Sequence, residues 1–488
     1  MQAISLKTTL VALGLPALLA VVPGCAADVD FVCGGDAPMC DILSVTADRR
    51  KAAGGIQVVG VEINQAVNVP LVVDNLAVEQ DLPVIAGRDA IIRVHVEPTA
   101  AWQTRAITAR VTLRQDGLVV GAAQADFTPN RSSEEGDLAT TGNVRIDGDM
   151  LVEGLIDFEV ELLEAPGASG SGSSANAHWP RSDSDGATLE VSYNGPALRM
   201  YIVPIQWDTD GSGKLPDTSP AAIERYRAAM MQVYPVADVE IEVGEPLPWN
   251  TPNLIDSVTL SAVANLRSER NIDDSQYVYG LLNTGGPLSN PVGLSGGTSM
   301  RAAIGFSYDM SGGAGDTIIH EVGHSHGLPH APCGGAAGPD PDYPYDEGSI
   351  GAYGYDLATD TLLAPSTHVD MMTYCTPRWI SDYNYEKIYQ ETQETWDNYG
   401  PAARVRTTSW RPIWLHTDGT VREGDVMWLP REPQGELREV EVDGAPVTGV
   451  FYGFEHADGG ILYVPGQDPV DEIRLDDGVL HEVLPRLR

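Results

Sequence analysis

The sequence predicts a multidomain chain: an N-terminal antiparallel β-sandwich, a central α/β domain and a small C-terminal β-domain. Three observations carry this. The chain has 488 residues, and at about 150 residues per domain that length accommodates roughly three cores. Its apolar residues recur with period two over 56–194, then with mixed helix and strand periods over 195–400. Beyond 401 the period-two pattern returns with turn signals between the runs.

The first 25 residues, MQAISLKTTLVALGLPALLAVVPGC, place Lys7 ahead of an apolar run from Leu10 to Val22. This is the pattern of an export signal, and the run is short for a bilayer-spanning helix. It ends in VVPGC, similar to the lipobox of bacterial lipoproteins, which makes Cys25 the candidate for lipidation; ordinary cleavage near Ala27 is the alternative. Either reading expects an exported protein, secreted or held at the cell surface, with membrane contact only through a lipid anchor. Setting Cys25 aside leaves an even four cysteines, Cys33, Cys40, Cys333 and Cys375. Two disulfides, Cys33 with Cys40 and Cys333 with Cys375, suit an oxidising compartment; four unpaired thiols are the alternative.

Residues 26–55 are polar and aperiodic, and read as a tether. In the sandwich segment Ile92, Val94 and Val96 alternate with Arg93, His95 and Glu97, and Ile156, Phe158, Val160 and Leu162 alternate with Asp157, Glu159 and Glu161. Such alternation describes half-buried strands. A Ser/Gly-rich stretch at 167–186 supplies no core-forming residues. In the central domain LRMYIVPIQW, VEIEVGEPL, QYVYGLLN and RAAIGFSY read as extended, while AAIERYRAAMMQVYP, SVTLSAVANLRSE and YNYEKIYQETQETWDNY read as helices.

The formal net charge is −39, from 30 basic and 69 acidic residues. That surface repels phosphate backbones and anionic membranes, so nucleic acid is not an expected partner.

Against this background HEVGHSHGLPH, residues 320–330, is dense in chemistry: four of the ten histidines fall in eleven positions. Asp316 is placed to cap a helix beginning near Thr317, and Gly327 to end it in a left-handed conformation. Residues four apart share a helix face, so His320 and His324 can reach one ion. The turn at Gly327 lets His330 return as a third nitrogen ligand, leaving a fourth position open, as a catalytic zinc site requires. Glu321 follows the first ligand and stands where a carboxylate can take a proton from water, the general-base position. From this chain's composition, HExxHxxGxxH arises by chance in roughly a few per 100,000 chains of this length. A structural zinc site normally closes with four protein ligands, and this spacing offers no fourth.

The motif resembles that of the metzincin zinc metalloendopeptidases at every fixed position. VDMMTYC, residues 369–375, is similar to the methionine turn of that family, with Met372 in Met-x-Tyr relation to Tyr374 and Met371 as the competing methionine. The resemblance implies that Met372 packs beneath the ligand histidines and that Tyr374 binds the metal or stabilises the oxyanion; a buried core tyrosine is the alternative. It implies too that a Cys333–Cys375 bridge staples the ligand loop to the floor of the site. HAPCGG, DMMTYC and PRWISDY look similar to secreted bacterial metzincins of the mucin-cleaving kind. The resemblance covers about 195–400 and is specific at the two motifs.

The sequence-based expectation is therefore an exported zinc-dependent endopeptidase acting on proteins or glycoproteins. A surface lipoprotein that binds glycans or proteins through a vestigial site, and a zinc hydrolase of non-peptide amides, are the alternatives; the intact Glu321 argues against the first. The substrate is expected to lie against an edge strand, with MRAAIGFSY as the candidate. His326 faces away from both ligands and is expected to be a surface or hydrogen-bonded histidine. His368 or Asp370 is a candidate to orient a ligand histidine. Asp340, Asp342, Asp346 and Glu347 lie in an acidic run that offers calcium ligands without a regular calcium-loop spacing, so a solvated loop is the expectation.

Overall fold

The computed structural model describes residues 50–488 apart from 169–171, 182–185, 194, 196, 253, 284–290, 308–313, 402, 404–406, 455–457, 476–477 and 487–488. The stretch read as an export signal, Cys25, Cys33, Cys40 and nearly all of the segment read as a tether lie outside the described residues. What is described is multidomain and sheet-rich.

Two sheets face each other across the N-terminal core. One runs in the order Leu76–Ala77, Asn68–Val73, Ile56–Asn64, Ala90–Pro98, Gly142–Ile146; the other Val84–Ile85, Thr188–Ser192, Gly154–Glu164, Ile107–Gln115, Leu118–Phe127. Val58, Ile92 and Val94 of the first meet Val111, Val160 and Leu162 of the second in one apolar cluster. The pairing is antiparallel except between Val84–Ile85 and Thr188–Ser192, which run parallel. Arg93 departs from the alternation, because its outward-facing register is fully buried. It pairs with Glu62 and donates to the Glu135 carbonyl at 2.7 Å, so the chain around 135 covers this face. A buried charge persists only when paired in this way.

The central sheet runs Val239–Val243, Leu198–Trp207, Tyr277–Leu282, Ala302–Phe306, Gly293–Ser295. Its strands are parallel until the last, which pairs antiparallel with Ala302–Phe306. Tyr277–Leu282 is buried throughout, as a central strand covered on both faces must be. MRAAIGFSY is therefore interior, and the expectation that it forms the edge is corrected: Gly293–Ser295 holds that place. Ser219, Asp256 and Ser381 accept from backbone N–H groups of Ala222, Thr259 and Asn384, capping helices Pro220–Val233, Ser257–Glu269 and Asp382–Tyr399.

After the last of these helices, seven strands close into a barrel: Thr408–Leu415, Val421–Glu423, Leu480–Leu484, Glu472–Arg474, Glu436–Val442, Ala445–Gly453 and Gly460–Pro465, the last returning to the first. Ile413, Val440, Leu462 and Ile473 fill one side of this wall. Trp410, Trp414 and Tyr463 face the other way and join the core of Leu260, Val263 and Met300. The barrel thus shares a core with the central sheet.

The sandwich is fastened just as directly. Arg88 is buried, and its guanidinium donates to the carbonyls of Tyr234, Met231 (2.7 Å) and Gln232 (3.2 Å) at the C-terminal end of Pro220–Val233, and to Gln65 O at 2.6 Å. A cation there satisfies carbonyls that the helix leaves without intrahelical partners and complements the negative end of its dipole. Trp379 Nε1 donates to Ala66 O at 2.8 Å from the other side. Arg88→Ala is expected to lower unfolding free energy by about 3 kcal/mol in denaturant titration, because it strands buried acceptors. Arg131→Ala, at an exposed pair, should change stability by under about 0.5 kcal/mol; equal effects from the two would refute the capping role.

Candidate metal centre

The helix carrying HEVGH spans Ala314–Ser325. It begins earlier than the sequence suggests, so Asp316 lies in its first turn instead of capping it. An acidic side chain there still complements the positive end of the dipole. At the other end Gly327 has φ +82, the left-handed value that favours glycine, and Leu328 N donates to Gly323 O as the chain turns back. That turn brings His330 to the helix.

His320, His324 and His330 are all buried, and their ligand atoms lie within 4.8 Å of one another. Among the described residues this is the group that converges at metal-binding distance. Each imidazole is oriented by a backbone carbonyl: His320 Nδ1 meets Met371 O at 2.9 Å, His324 Nδ1 meets Leu328 O at 2.7 Å, and His330 Nδ1 meets Ala337 O at 2.6 Å. A carbonyl only accepts, so each Nδ1 carries a proton, and in the neutral imidazole that leaves the lone pair on Nε2, the form a metal requires. Burial, and then the neighbouring His324, hold His320 well below the usual imidazole range, which favours the same neutral state.

Glu321 is 2% exposed. It lines a cleft of about 240 Å³ with Val292, Gly293, His320, Tyr374 and Arg378. Gly293 is on the edge strand, and a Cβ there would come within 2.3 Å of Glu321 Oε1, so only glycine lets this backbone run beside the carboxylate. Ion-paired Asp316 and Arg378, 3.7 Å apart, supply the remaining charge of the cleft wall. Neither Gly293 nor Arg378 is marked by spacing in the sequence as a site residue, because tertiary folding brings both to the cleft.

The turn at 369–375 lies against the helix from below. Met371 and Met372 are both buried, and a Cβ at Gly323 would lie 2.6 Å from Met372 Sδ and 3.3 Å from Met371 Cε. Met371 adds the carbonyl that orients His320. Tyr374 is 38% exposed, with its ring centroid 4.9 Å from that of His330 and 6.2 Å from that of His320. It borders the cleft and is not a core tyrosine. Cys333 and Cys375 form a disulfide with Cα atoms 5.7 Å apart. Ala331 N donating to Met372 O and Tyr374 N to Cys333 O join the ligand loop to the turn on either side of it.

Other expectations resolve differently. Asp370 is fully buried, and its carboxylate accepts from Met372 N (2.7 Å), Ser381 N (2.8 Å) and Asn384 Nδ2 (2.8 Å). It pins the methionine turn to helix Asp382–Tyr399 instead of orienting a histidine. Burial raises its pKa against the pull of these donors. His368 meets Thr367 Oγ1 and Ala364 O, away from the ligand set. His326 takes the hydrogen-bonded of its two expected places: it is buried, its Nδ1 meets Val322 O at 2.8 Å and its ring stacks on Tyr277 at 4.5 Å, with burial lowering its pKa to about 4. Among the described residues the carboxylates of the acidic run do not converge as a ligand group. Asp340 instead takes Lys387 Nζ at 2.8 Å and Tyr383 OH at 3.1 Å.

Residues 255–394 match the family model of Peptidase M66. Dictomallein-1 of Dictyostelium discoideum is 28% identical over 146 residues, which are 28% of this chain and 23% of that protein. The chain therefore aligns with less than a quarter of the relative's length. A solved Bacteroides fragilis structure described as a beta-galactosidase covers 89% of this chain and 74% of its own at 11% identity, but with a TM-score of 0.15 that likeness carries no fold assignment. The family match, joined to three converging histidines, supports a metallopeptidase.

Gly323→Ala is expected to cost about 1–3 kcal/mol, since the added methyl group overpacks the methionine contact. Pairing it with Met372→Ala should cost less than the sum of the two single changes in denaturant titration. Strict additivity would show that the two residues do not press on one another.

Proposed function

We propose that this chain is an exported zinc-dependent endopeptidase of the metzincin type that hydrolyses peptide bonds of proteins or glycoproteins. The observation that carries the reading is the donor set. Three imidazoles, each fixed at Nδ1 by a carbonyl, converge beside a buried carboxylate at an open cleft. The all-nitrogen set, with no fourth protein ligand among the described residues, fits zinc in a catalytic role. His320, His324 and His330 would hold the ion; when bound, it supplies Lewis acidity that polarises a carbonyl and acidifies water.

The chain's own residues do the rest. Glu321 takes the proton of the attacking water and delivers it to the leaving amine. Burial beside the Gly293 backbone keeps this carboxylate in place and away from bulk solvent. Tyr374, at the cleft rim, donates its hydroxyl proton to the developing oxyanion as a hydrogen bond. Gly293–Ser295 presents the outer edge of the sheet, along which an extended substrate pairs main chain to main chain. Met372 supports the helix from below, and the Cys333–Cys375 bridge holds Tyr374 near the ligand loop. Export is supported by the signal-like N-terminus and by that disulfide, which suits an oxidising compartment. A lipid anchor at Cys25 belongs to the same proposal.

The test is digestion of unfolded proteins and heavily glycosylated proteins by the zinc-loaded chain beside Glu321→Ala. The parent is expected to cut, and the variant to lose about 10²–10⁴-fold in rate while binding one zinc per chain. His324→Ala should lose the metal itself. Equal inactivity of parent and Glu321→Ala, both fully loaded with zinc, would remove the peptidase reading.

A further inference from the structure

A cavity larger than the cleft at the histidines lies elsewhere in the molecule. About 480 Å³ opens between helix Ser257–Glu269 and the barrel, and no residue lining it also lines the metal-centre cleft. This volume suits a ligand of one or two rings. We infer that the cavity is a second ligand site, built for a carboxylate carried on a ring, and that it is independent of the peptidase chemistry.

Charge is the first reason. Arg301 is 3% exposed; its guanidinium donates to the carbonyls of Asp274 (3.1 Å) and Thr298 (3.4 Å) and lies 3.8 Å over the ring of Tyr399. Arg267 donates to the carbonyls of Asp273 (2.8 Å), Gln276 (2.8 Å) and Arg301 (3.3 Å). Among the described residues neither guanidinium makes a carboxylate ion pair. Burial, and then the proximity of Arg301, lower Arg267 to about 10 against the opposing pull of Asp274 and Asp273, as expected of two cations held close together. In a chain of net charge −39 such a pair is unusual.

The acids nearby do not fill the role. Asp425 is engaged by Ser268 Oγ and Arg486, while Asp273 accepts from Ser275 and pairs with Arg199 at 3.2 Å. Asp273 and Asp274 are exposed, whereas Arg301 is buried, so an entering carboxylate meets the cations inside. A planar guanidinium with donors to spare binds such a group more strongly than a neutral one.

Shape and polarity supply the second reason. Asn265 lines the cavity at 7% exposure, and its side-chain amide makes no hydrogen bond among the described residues. An amide at the wall of a cavity is free to hydrogen-bond to water or to a polar ligand that enters. Trp428, on the strand Met427–Leu429, is 52% exposed at the same cavity and offers a flat face on which a ring can stack.

The test is ligand-detected NMR titration of the full chain with glucuronate and benzoate, each beside its neutral counterpart, glucose and benzyl alcohol. Saturable binding of an acid at least about tenfold tighter than its counterpart is expected, with a similar loss for Trp428→Ala. Preference for glucuronate identifies a saccharide ligand, and preference for benzoate an aromatic acid. Arg267→Gln should weaken the acid and leave the neutral probe unchanged. Should Arg267→Gln fail to fold, the parent's discrimination between acid and neutral probe still decides. Failure of both acids to saturate, equal binding of acid and neutral probe, or unchanged affinity in Trp428→Ala would overturn the site.

Discussion

Three backbone carbonyls, those of Met371, Leu328 and Ala337, decide what the histidine cluster can be. Each takes the Nδ1 proton of one imidazole and so fixes ring orientation and tautomer together. The carbonyls come from three different places: the methionine turn, the turn that ends the helix, and the loop after the last histidine. The cluster exists only while all three are held in register. That requirement explains the reinforcement around it, from the Cys333–Cys375 bridge to the buried carboxylate of Asp370, which grips Met372 N, Ser381 N and Asn384 at once. Replacing side-chain carboxylates by carbonyls in this role also keeps additional negative charge away from Glu321.

Legibility in the sequence follows the range of the interaction. His320, His324 and the turn at Gly327 were readable because helix period and left-handed backbone are local properties. The return of His330 was readable because it is set by that same turn. The edge strand was misread for the opposite reason: Gly293–Ser295 is three residues long and pairs with a strand that follows it, so nothing in its own pattern marks the position. Arg93 was assigned to solvent because alternation reports which side of a strand a residue faces, not whether another part of the chain covers that side. Closure of the C-terminal strands into a barrel was equally hidden, since sandwich and barrel strands share period two. For His326 the helix period places the ring away from the ligand face but leaves surface and hydrogen-bonded positions both open; Tyr234 and Tyr277, brought there by tertiary folding, decide for burial.

Packing around the site combines two kinds of contact. On the sandwich side Arg88 caps helix carbonyls and Trp379 donates to Ala66, while Ala66 and Val67 join the apolar core of the central unit. On the barrel side Trp410, Trp414 and Tyr463 join the core of the central sheet. Polar capping fixes orientation closely but contributes little net energy, and apolar burial supplies the larger share.

The barrel also reaches the cleft wall. Gln434 Oε1 accepts from Thr298 N at 3.0 Å, and Gln434 N donates to Ser299 Oγ at 3.0 Å, clamping the short helix Gly297–Met300 that follows the edge strand. Gly297 has φ +71, and a Cβ there would strike Gln434 Oε1 and Tyr452 at 2.7 Å, so the clamp is as close as backbone allows. From the same strand Ser295 Oγ meets Ser325 Oγ at 2.9 Å at the end of the histidine helix. The edge strand is thus anchored at one side by the barrel and at the other by the helix that carries Glu321. Because Gly293 leaves no room beside Glu321, a shift of this strand by less than the width of a methyl group would press on the carboxylate or open it to solvent. The barrel, remote in sequence from every histidine of the cluster, is in this way part of what sets the width of the cleft.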